Sequence, residues 1–428
     1  MLAHSPPLPL VIDYHVPGAS DFYISTEEKD RIILALERRD RIRRIRFTIF
    51  VRDLQNLIMF IDKEYPLLEY LLIGPPVEGM TTALTLPETL QAPRLRHLEL
   101  SRFALPVGSQ LFPTVVGLVT LTLIMGYPYT DFRPNVVLRW LSFMPQLERL
   151  SIVILNPIPN EDVESQLIHT PILTRVTLPI LRWFNFHGGS AFEEALVRRM
   201  TTPRLERLRI WFVEQPTFTV PSLLQFINAT KHSTFDSVKV AFFSTEISVG
   251  VKHREDSLGN VLSMGVIHSR SLDSQVFSMA QIFDSIGQIF SMVEYLAFEY
   301  DDIYEIRHVF DRAKWRRLLR PFFKVKTLHI DELLVEGLSH ILRVDDGEDP
   351  LELLPELREL TYVGSSDTGE AFTSFIDARQ NAGRPVTLVL RPRSVTTLSR
   401  SSSQSSLESS SIITWDSEVA EAGSNLDT

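Results

Sequence analysis

One pattern of apolar and polar positions recurs along most of the chain. It consists of an apolar residue, two variable residues, a second apolar residue, one variable residue and a third apolar residue. Twelve copies start between residues 42 and 357, with a mean spacing of about 29 residues. The copies are Ile42-Ile45-Phe47, Leu68-Leu71-Ile73, Leu95-Leu98-Leu100, Leu118-Leu121-Leu123, Leu147-Leu150-Ile152, Leu181-Phe184-Phe186, Leu205-Leu208-Ile210, Phe235-Val238-Val240, Val261-Met264-Val266, Val293-Leu296-Phe298, Val325-Leu328-Ile330 and Leu357-Leu360-Tyr362.

Each copy predicts one strand followed by one helix. The alternating end of the motif is typical of a strand with one buried face, and the segments after it place apolar residues three and four apart, as a helix with one buried side does. The predicted helices cover 51–65, 135–144, 161–169, 192–200, 221–230, 277–290, 314–323, 334–343 and 370–383. A spacing near the upper end of roughly 20 to 29 residues indicates an α/β leucine-rich-repeat solenoid, a horseshoe with a parallel concave sheet and helices on its convex side.

The ends of the chain and one internal region depart from the pattern. Residues 1–40 are predicted to form an N-terminal cap, and residues 41–391 a solenoid of about twelve irregular repeats ending in the strand RPVTLVLR. Residues 241–275 fit the motif poorly, which predicts an insertion or a break in curvature. Residues 392–428 are rich in serine and poor in apolar residues, so a disordered tail is predicted there.

Several phrases in order resemble one family. LAHSPPLPLVIDY, LPETLQAPRLRHLEL, RWLSFMPQLERL, LRWFNFHGGSAFEEAL, TTPRLERLRIWF, FFKVKTLHIDELLVEGLS and LLPELRELTY, then FTSFIDARQNAGRPVTLV, are similar to those of F-box-like proteins with degenerate leucine-rich repeats from mushroom-type (basidiomycete) fungi. The resemblance implies substrate recognition in a cullin-RING ubiquitin ligase. It covers the repeat region without the F-box, because the F-box helices of that family lie upstream of LAHSPPLPL. A ligase-independent scaffold or decoy, lacking adaptor binding, is the alternative.

Composition narrows the class of partner and the compartment. The net charge of −10 disfavours nucleic acid and anionic membranes as partners. The absence of cysteine excludes disulfides and thiolate chemistry and fits a reducing compartment. Pro6, Pro7 and Pro9 interrupt any signal helix, and no window reaches the roughly 18 to 20 apolar residues that cross a bilayer. A soluble cytoplasmic or nuclear protein is expected.

No motif predicts catalysis, a cofactor or a metal site. The sequence lacks a Gly-x-Ser-x-Gly nucleophile elbow, a Gly-rich phosphate loop and a His-Glu-x-x-His pair. The carboxylate clusters at 301–302 and 345–349 are interpreted as solvated loops, since they lack the ligand order of a calcium loop. The basic run 38–46 is interpreted as a first strand with exposed arginines, because its isoleucines occupy motif positions. A non-enzymatic protein is therefore predicted.

The predicted binding surface is the concave face of the sheet. Side chains alternate along a strand, so the residues flanking the second motif position point away from the core. Arginine and aromatic residues are enriched at protein-binding hot spots, which favours a protein partner spread over several repeats; the alternative for each residue is the ordinary polar face of a sheet. The candidates are Arg44, Arg46, Tyr70, His97, Glu99, Arg149, Trp183, Asn185, Arg207, Arg209, Lys239, Tyr295 and His329.

Overall fold

The computed structural model describes residues 8–15, 24–75, 84–104, 106, 108–125, 133–155, 175–213, 215–218, 220–229, 235–252, 261–267, 271–300, 310–345, 347–363 and 370–391. The strands are β1 Leu10–His15, β2 Ile42–Thr48, β3 Tyr70–Gly74, β4 Leu84–Thr85, β5 His97–Ser101, β6 Phe103–Ala104, β7 Thr120–Met125, β8 Arg149–Ile154, β9 Val176–Thr177, β10 Trp183–Gly188, β11 Met200–Thr201, β12 Arg207–Val213, β13 Ser237–Phe242, β14 Glu246–Lys252, β15 Leu262–Ile267, β16 Tyr295–Tyr300, β17 Thr327–Ile330, β18 Glu359–Val363 and β19 Thr387–Arg391. The α-helices are α1 Thr26–Leu36, α2 Val51–Ile58, α3 Leu111–Thr114, α4 Pro134–Leu141, α5 Ser190–Val197, α6 Pro221–Asn228, α7 Leu272–Ile286, α8 Arg312–Leu319, α9 Val335–Leu342 and α10 Thr373–Asn381.

Fifteen of these strands form one sheet. Its order is β1-β2-β3-β5-β7-β8-β10-β12-β15-β14-β13-β16-β17-β18-β19. Neighbours are parallel everywhere except at β13–β14 and β14–β15, among the described strands. The predicted α/β architecture with a large parallel sheet is therefore confirmed over most of the sheet. The short pairs β4–β6 and β9–β11 form two separate two-stranded sheets.

The recurring motif forms the core. All its apolar side chains are buried except that of Val261, which is half-buried. They pack with the buried sides of the helices into one continuous cluster. Burial of this kind stabilises a fold by roughly 25 cal/mol for each Å² of apolar surface removed from water. The period of two in the sequence is thus the direct result of burying one face of every strand.

A repeated turn places the first motif residue ahead of each strand. The backbone N–H of Leu95 donates to the carbonyl of Ala92, that of Leu147 to Met144, and the same spacing recurs later in the chain. The next residue then makes the first backbone hydrogen bond to the strand of the preceding repeat. For example, the N–H of Arg96 donates to the carbonyl of Glu69. The Pro-x-Leu phrases in the sequence fall in these turns, because proline suits a turn position that needs no N–H donor.

The region 235–267 corrects the prediction of a uniformly parallel sheet. β13, β14 and β15 form an antiparallel meander that is reversed in the sheet, so β15 lies beside β12 and β13 lies beside β16. The prediction that the motifs starting at Phe235 and Val261 form consecutive parallel repeats is wrong. The predicted irregularity at 241–275 is an extra strand, β14, whose Ile247, Val249 and Val251 are buried. The buried residues of β14 thus add a further row of apolar side chains to the core between β13 and β15.

The helices are generally shorter than their patterns predict. The segment 51–65 is helical only as α2, and the chain beyond it turns so that the N–H of Tyr65 donates to the carbonyl of Gln91 in the next repeat. The tertiary contact replaces the last turns of helix, since both satisfy the backbone. The predicted helix 161–169 and the predicted tail 392–428 lie outside the described residues.

Each end of the sheet is fixed by a specific polar contact. At the first end, Ser25 and Glu28 form a capping box at the start of α1, and Asp53 of α2 accepts from the N–H of Ile24 and pairs with Lys29 at 2.5 Å. At the last end, the fully buried Arg379 of α10 donates to the carbonyls of Pro355, at 3.0 Å, and Leu357, at 3.2 Å. Both contacts attach a terminal element to its neighbour through groups that would be costly to leave buried and unpaired.

Candidate binding face

The side of the sheet opposite the motif core is called here the open face. Parallel register arranges its side chains in rows that cross the strands. The first row contains Arg44, Tyr70, His97, Thr120, Arg149, Trp183 and Arg207. The second row contains Asp13, Arg46, Leu72, Glu99, Thr122, Ser151, Asn185, Arg209 and Ser263. Alternation of side chains along each strand places both rows on the same face.

Arginine and aromatic side chains contact one another at the start of the first row. The guanidinium of Arg44 lies 4.4 Å from the ring centroid of Tyr70, and its nitrogen lies 3.8 Å from a carboxylate oxygen of Asp13. The rings of Tyr70 and His97 are 6.0 Å apart between centroids. A cation over an aromatic face is stabilised by the ring quadrupole, so these side chains hold one another in place.

Burial shifts the titration of three side chains on this part of the face. Burial raises the pKa of Tyr70, with Glu99 acting in the same direction. Burial lowers the pKa of His97, and the positive charges of Arg96 and Arg149 lower it further, so the imidazole is neutral at pH 7. Burial also raises the pKa of Glu99, while Arg46 opposes that shift.

The middle of the face, on β8, β10 and β12, contains three exposed arginines. Arg149, Arg207 and Arg209 are exposed, and Trp183 is half-exposed between the first two. Within the described part of the chain, Arg149 and Arg209 form no ion pair. The side chains that the sequence predicted here are thus adjacent in space, although they lie up to 60 residues apart in the chain.

Asn185 differs from the other twelve candidates because it is buried. Its side chain is 4% exposed, and its amide nitrogen donates to the hydroxyl of Ser151 at 2.9 Å. Ser151 is itself 1% exposed. The two buried side chains satisfy each other's hydrogen bonding beneath their larger neighbours. Asn185 therefore joins β8 to β10 and is not a side chain available to a partner.

Trp211 was not among the predicted residues, although it lies on the same face. It follows Arg209 by two positions on β12 and is half-exposed. Its ring lies directly over Gly265 of β15, because a Cβ added at Gly265 would come 2.3 Å from the ring atom Cζ3. Extending the period-two alternation one step beyond the third motif position would have identified Trp211 from the sequence.

The candidates beyond β12 have different surroundings. Lys239 of β13 forms an ion pair with Glu299 of β16. Burial lowers the pKa of His329, and nearby Arg391 acts in the same direction. Tyr295 is half-exposed at the start of β16. Between Lys239 and His329 the row contains only the small side chain of Ala297.

Two other charged segments form ion pairs with neighbouring elements. In the basic run, Arg43 pairs with Glu69 at 2.8 Å and Arg39 with Asp62 at 3.7 Å. In the acidic segment 345–349, Glu348 lies 2.6 Å from Arg312 of α8. The described residues of that segment lie in a loop, as interpreted from the sequence, and Asp345 and Asp349 are exposed. The backbone N–H of Asp345 and the positive charges of Arg316 and Arg312 lower the pKa of Glu348.

The described residues contain no group of three or more His, Asp or Glu side chains positioned to hold a metal ion. No helix in the same ranges is long and apolar enough to span a membrane. The segment Gly188-Gly189-Ser190 joins the end of β10 to the first residue of α5. There Ser190 is buried, and its N–H donates to the side chain of Gln215.

Comparisons with known proteins give a distant likeness only. No protein-family model matches the chain, and no curated protein matches it. The crystal structure of a TLR13–ssRNA13 complex aligns with a TM-score of 0.33 and 13% sequence identity, covering 82% of this chain and 42% of that one. This chain thus spans less than half the length of that protein. A similarity at this level assigns neither a fold nor a ligand.

Proposed function

We propose that this chain is a leucine-rich-repeat solenoid, a horseshoe whose open face is concave and binds a protein target without catalysis. The observation that carries the proposal is the composition of that face. Helices cover one side of the sheet, while the other side presents Arg44 and Arg46 beside Tyr70 on β2 and β3, and Arg149, Arg207 and Arg209 beside Trp183 and Trp211 on β8, β10 and β12. Large rigid side chains on a sheet contribute binding area at low entropic cost, and arginine adds directed hydrogen bonds.

Within that function, we favour substrate recognition of the F-box type in the cytoplasm or nucleus. The sequence phrases that resemble the F-box-like family support this assignment, and the mechanism would be proximity: a bound target is presented to a ubiquitin ligase. A ligase-independent scaffold or decoy is the second candidate. It would use the same face and would differ only in lacking contact with the adaptor.

Site-specific photo-crosslinking tests the binding face. A benzophenone amino acid is placed in the full chain at Tyr70 or Tyr295 on the open face, and at Met59 or Phe277 on the helix side, where both side chains are exposed. We expect the same cellular protein to be crosslinked from the open-face positions only. Equal crosslinking from the helix side would contradict the proposed face.

Affinity capture of the tagged chain distinguishes the two forms of the proposal. Mass spectrometry of the captured proteins is scored for cullin-RING adaptor subunits and for other reproducible partners. Recovery of an adaptor together with a second partner supports the ligase role. A reproducible partner without an adaptor supports the scaffold or decoy and contradicts the ligase role.

A further inference from the structure

We propose that the part of the open face on β8, β10 and β12 binds an extended acidic polypeptide segment that runs across the strands. The inference deepens the proposed function and rests on it, since it assigns a chemical class to the protein target. The binding region is defined by Arg149, Trp183, Arg207, Arg209 and Trp211.

The first argument is the local charge. Over β1 to β12 the open face carries Arg44, Arg46, Arg149, Arg207 and Arg209 against the carboxylates Asp13 and Glu99. The whole chain has a net charge of −10, so this surface is locally opposite in sign to the rest of the protein. Such a patch attracts acidic partners and orients them before contact.

The second argument is which arginines are available. Asp13 lies beside Arg44, and the charge of Arg46 acts on Glu99. Among the described residues, neither Arg149 nor Arg209 forms an ion pair with a carboxylate. The planar guanidinium presents paired donors that match a carboxylate, so these two side chains are suited to acidic groups supplied by a partner.

The third argument is the placement of the aromatic rings. Trp183 lies in the first row between Arg149 and Arg207, and Trp211 follows Arg209 on the same strand. The position of the Trp211 ring depends on Gly265, which leaves the space that the ring occupies. The indole of Trp211 is therefore packed against β15, and both indoles offer apolar contact area between the charged groups.

The geometry fits an extended peptide. Neighbouring strands are about 4.8 Å apart, so Arg149 and Arg207 are separated by two steps of about 10 Å in all. A chain in the polyproline II conformation has three residues per turn and rises about 3.1 Å for each residue, so side chains three positions apart point the same way and lie about 9 Å apart. A segment with acidic residues three positions apart, lying across β8, β10 and β12, would reach from Arg149 to the strand that carries Arg209 and would cover Trp183.

An acidic peptide is favoured over single-stranded nucleic acid by the charges around the patch. Phosphate backbones need several unopposed cations in succession, and their binding depends strongly on overall charge. Here Glu99 lies in the second row, and the protein as a whole is acidic. A peptide with separated carboxylates satisfies Arg149 and Arg209 without placing charge against Glu99.

Fluorescence anisotropy with the full chain tests the inference. The probes are a labelled peptide of about twelve residues with Glu at every third position and Ser at the others, the same peptide with Gln in place of Glu, and an oligouridylate of similar length. The charge variant is Arg149→Gln/Arg209→Gln. Its matched control is Arg52→Gln/Arg139→Gln, which removes two exposed arginines from α2 and α4 and so changes the net charge equally.

We expect the Glu peptide to bind at least about tenfold more tightly than the Gln peptide, and the Arg149→Gln/Arg209→Gln variant to lose about tenfold or more of that affinity. The control variant should stay within about twofold of the wild type. Equal binding of the two peptides, an unaffected charge variant, or tighter binding of the oligouridylate would each overturn the inference. Crosslinking of a cellular protein from Tyr70 and Tyr295 would still support the proposed function in that case, so the two failures are distinguishable.

Discussion

The two halves of the sheet share one core but present different open faces. The first half, β1 to β12, carries five arginines against two carboxylates and exposes Tyr70, Trp183 and Trp211. The second half, β13 to β19, carries Lys239, Lys252 and Arg391 against Glu246, Glu299 and Glu359, with small residues such as Ala241 and Ala297 between them. The buried face carries the recurring apolar motif in both halves. The comparison teaches that the repeat constrains the buried face and leaves the open face to vary.

Trp315 should have the largest effect on stability, because the core of the second half depends on it. Its fully buried ring lies 5.4 Å from that of Phe242, 5.8 Å from that of Phe298 and 5.6 Å from that of Phe310, between centroids. Trp315→Ala is expected to lower the free energy of unfolding by about 4 kcal/mol, as large cavities do. Urea denaturation measures this loss. Trp315→Phe, which keeps most of the ring contact, is the control, and an equal loss in both variants would contradict the packing argument.

Gly265 lies where the two halves meet, and its substitution should have the second-largest effect on stability. A Cβ there would come 2.3 Å from Trp211 Cζ3 and 2.8 Å from the carbonyl oxygen of Ile247, and the carbonyl belongs to the neighbouring backbone. Gly265→Ala is expected to cost about 3 kcal/mol and to change the tryptophan fluorescence. Gly117→Ala, at a site with open space around the new Cβ, is the control. Unchanged fluorescence in Gly265→Ala would show that Trp211 does not depend on the glycine.

A buried carboxyl in the first half makes stability depend on pH. Glu193 of α5 is fully buried and its oxygens accept no hydrogen bond from the described residues, so burial raises its pKa well above 4.5, with Glu194 acting in the same direction. A raised pKa in the folded state stabilises the protonated form. This stabilisation is complete below the pKa that Glu193 has in the unfolded chain, and it decreases as the pH rises toward the pKa of the folded state. The wild type should therefore lose stability from about pH 4.5 upward.

Glu193→Gln removes this titration and should raise the free energy of unfolding by about 2 kcal/mol near pH 8, with little change near pH 4. Thermal unfolding at both pH values measures the difference. Glu194→Gln is the control on the same helix: Glu194 accepts hydrogen bonds from the N–H of Ser222 at 2.9 and 3.0 Å, so its neutralisation should destabilise the protein. Stabilisation near pH 4 as large as that near pH 8 would contradict the assignment.

The smallest effect on stability is expected for Asn185. Loss of its hydrogen bond to Ser151 should cost about 1 kcal/mol in Asn185→Ala. A double-mutant cycle with Ser151→Ala should show coupling between the two side chains. Additive losses would mean that the pair does not join β8 to β10 and would return Asn185 to the set of binding candidates.

The open face could be predicted where the motif is regular and not where topology intervenes. The residues that flank the second motif position were predicted to point away from the core. This rule placed Arg149, Trp183 and Arg209 on one surface, because a parallel register repeats the same offset in every strand. It missed Trp211, since the rule stopped one alternation too early. It also treated Asn185 as a contact residue, because a sequence does not show that Ser151 lies opposite it on the neighbouring strand.

The amino-acid sequence alone determined the strands of the recurring motif, the buried face of each and the direction in which their remaining side chains point. Those features follow from local periodicity, which one strand and its own helix express without distant contacts. Only the tertiary structure decided the strand order β12-β15-β14-β13-β16, the packing of the Trp211 ring over Gly265 and the burial of Glu193. Each of these depends on which segments become neighbours after folding, and apolar periodicity is the same whether a strand pairs with the preceding repeat or with one further along the chain.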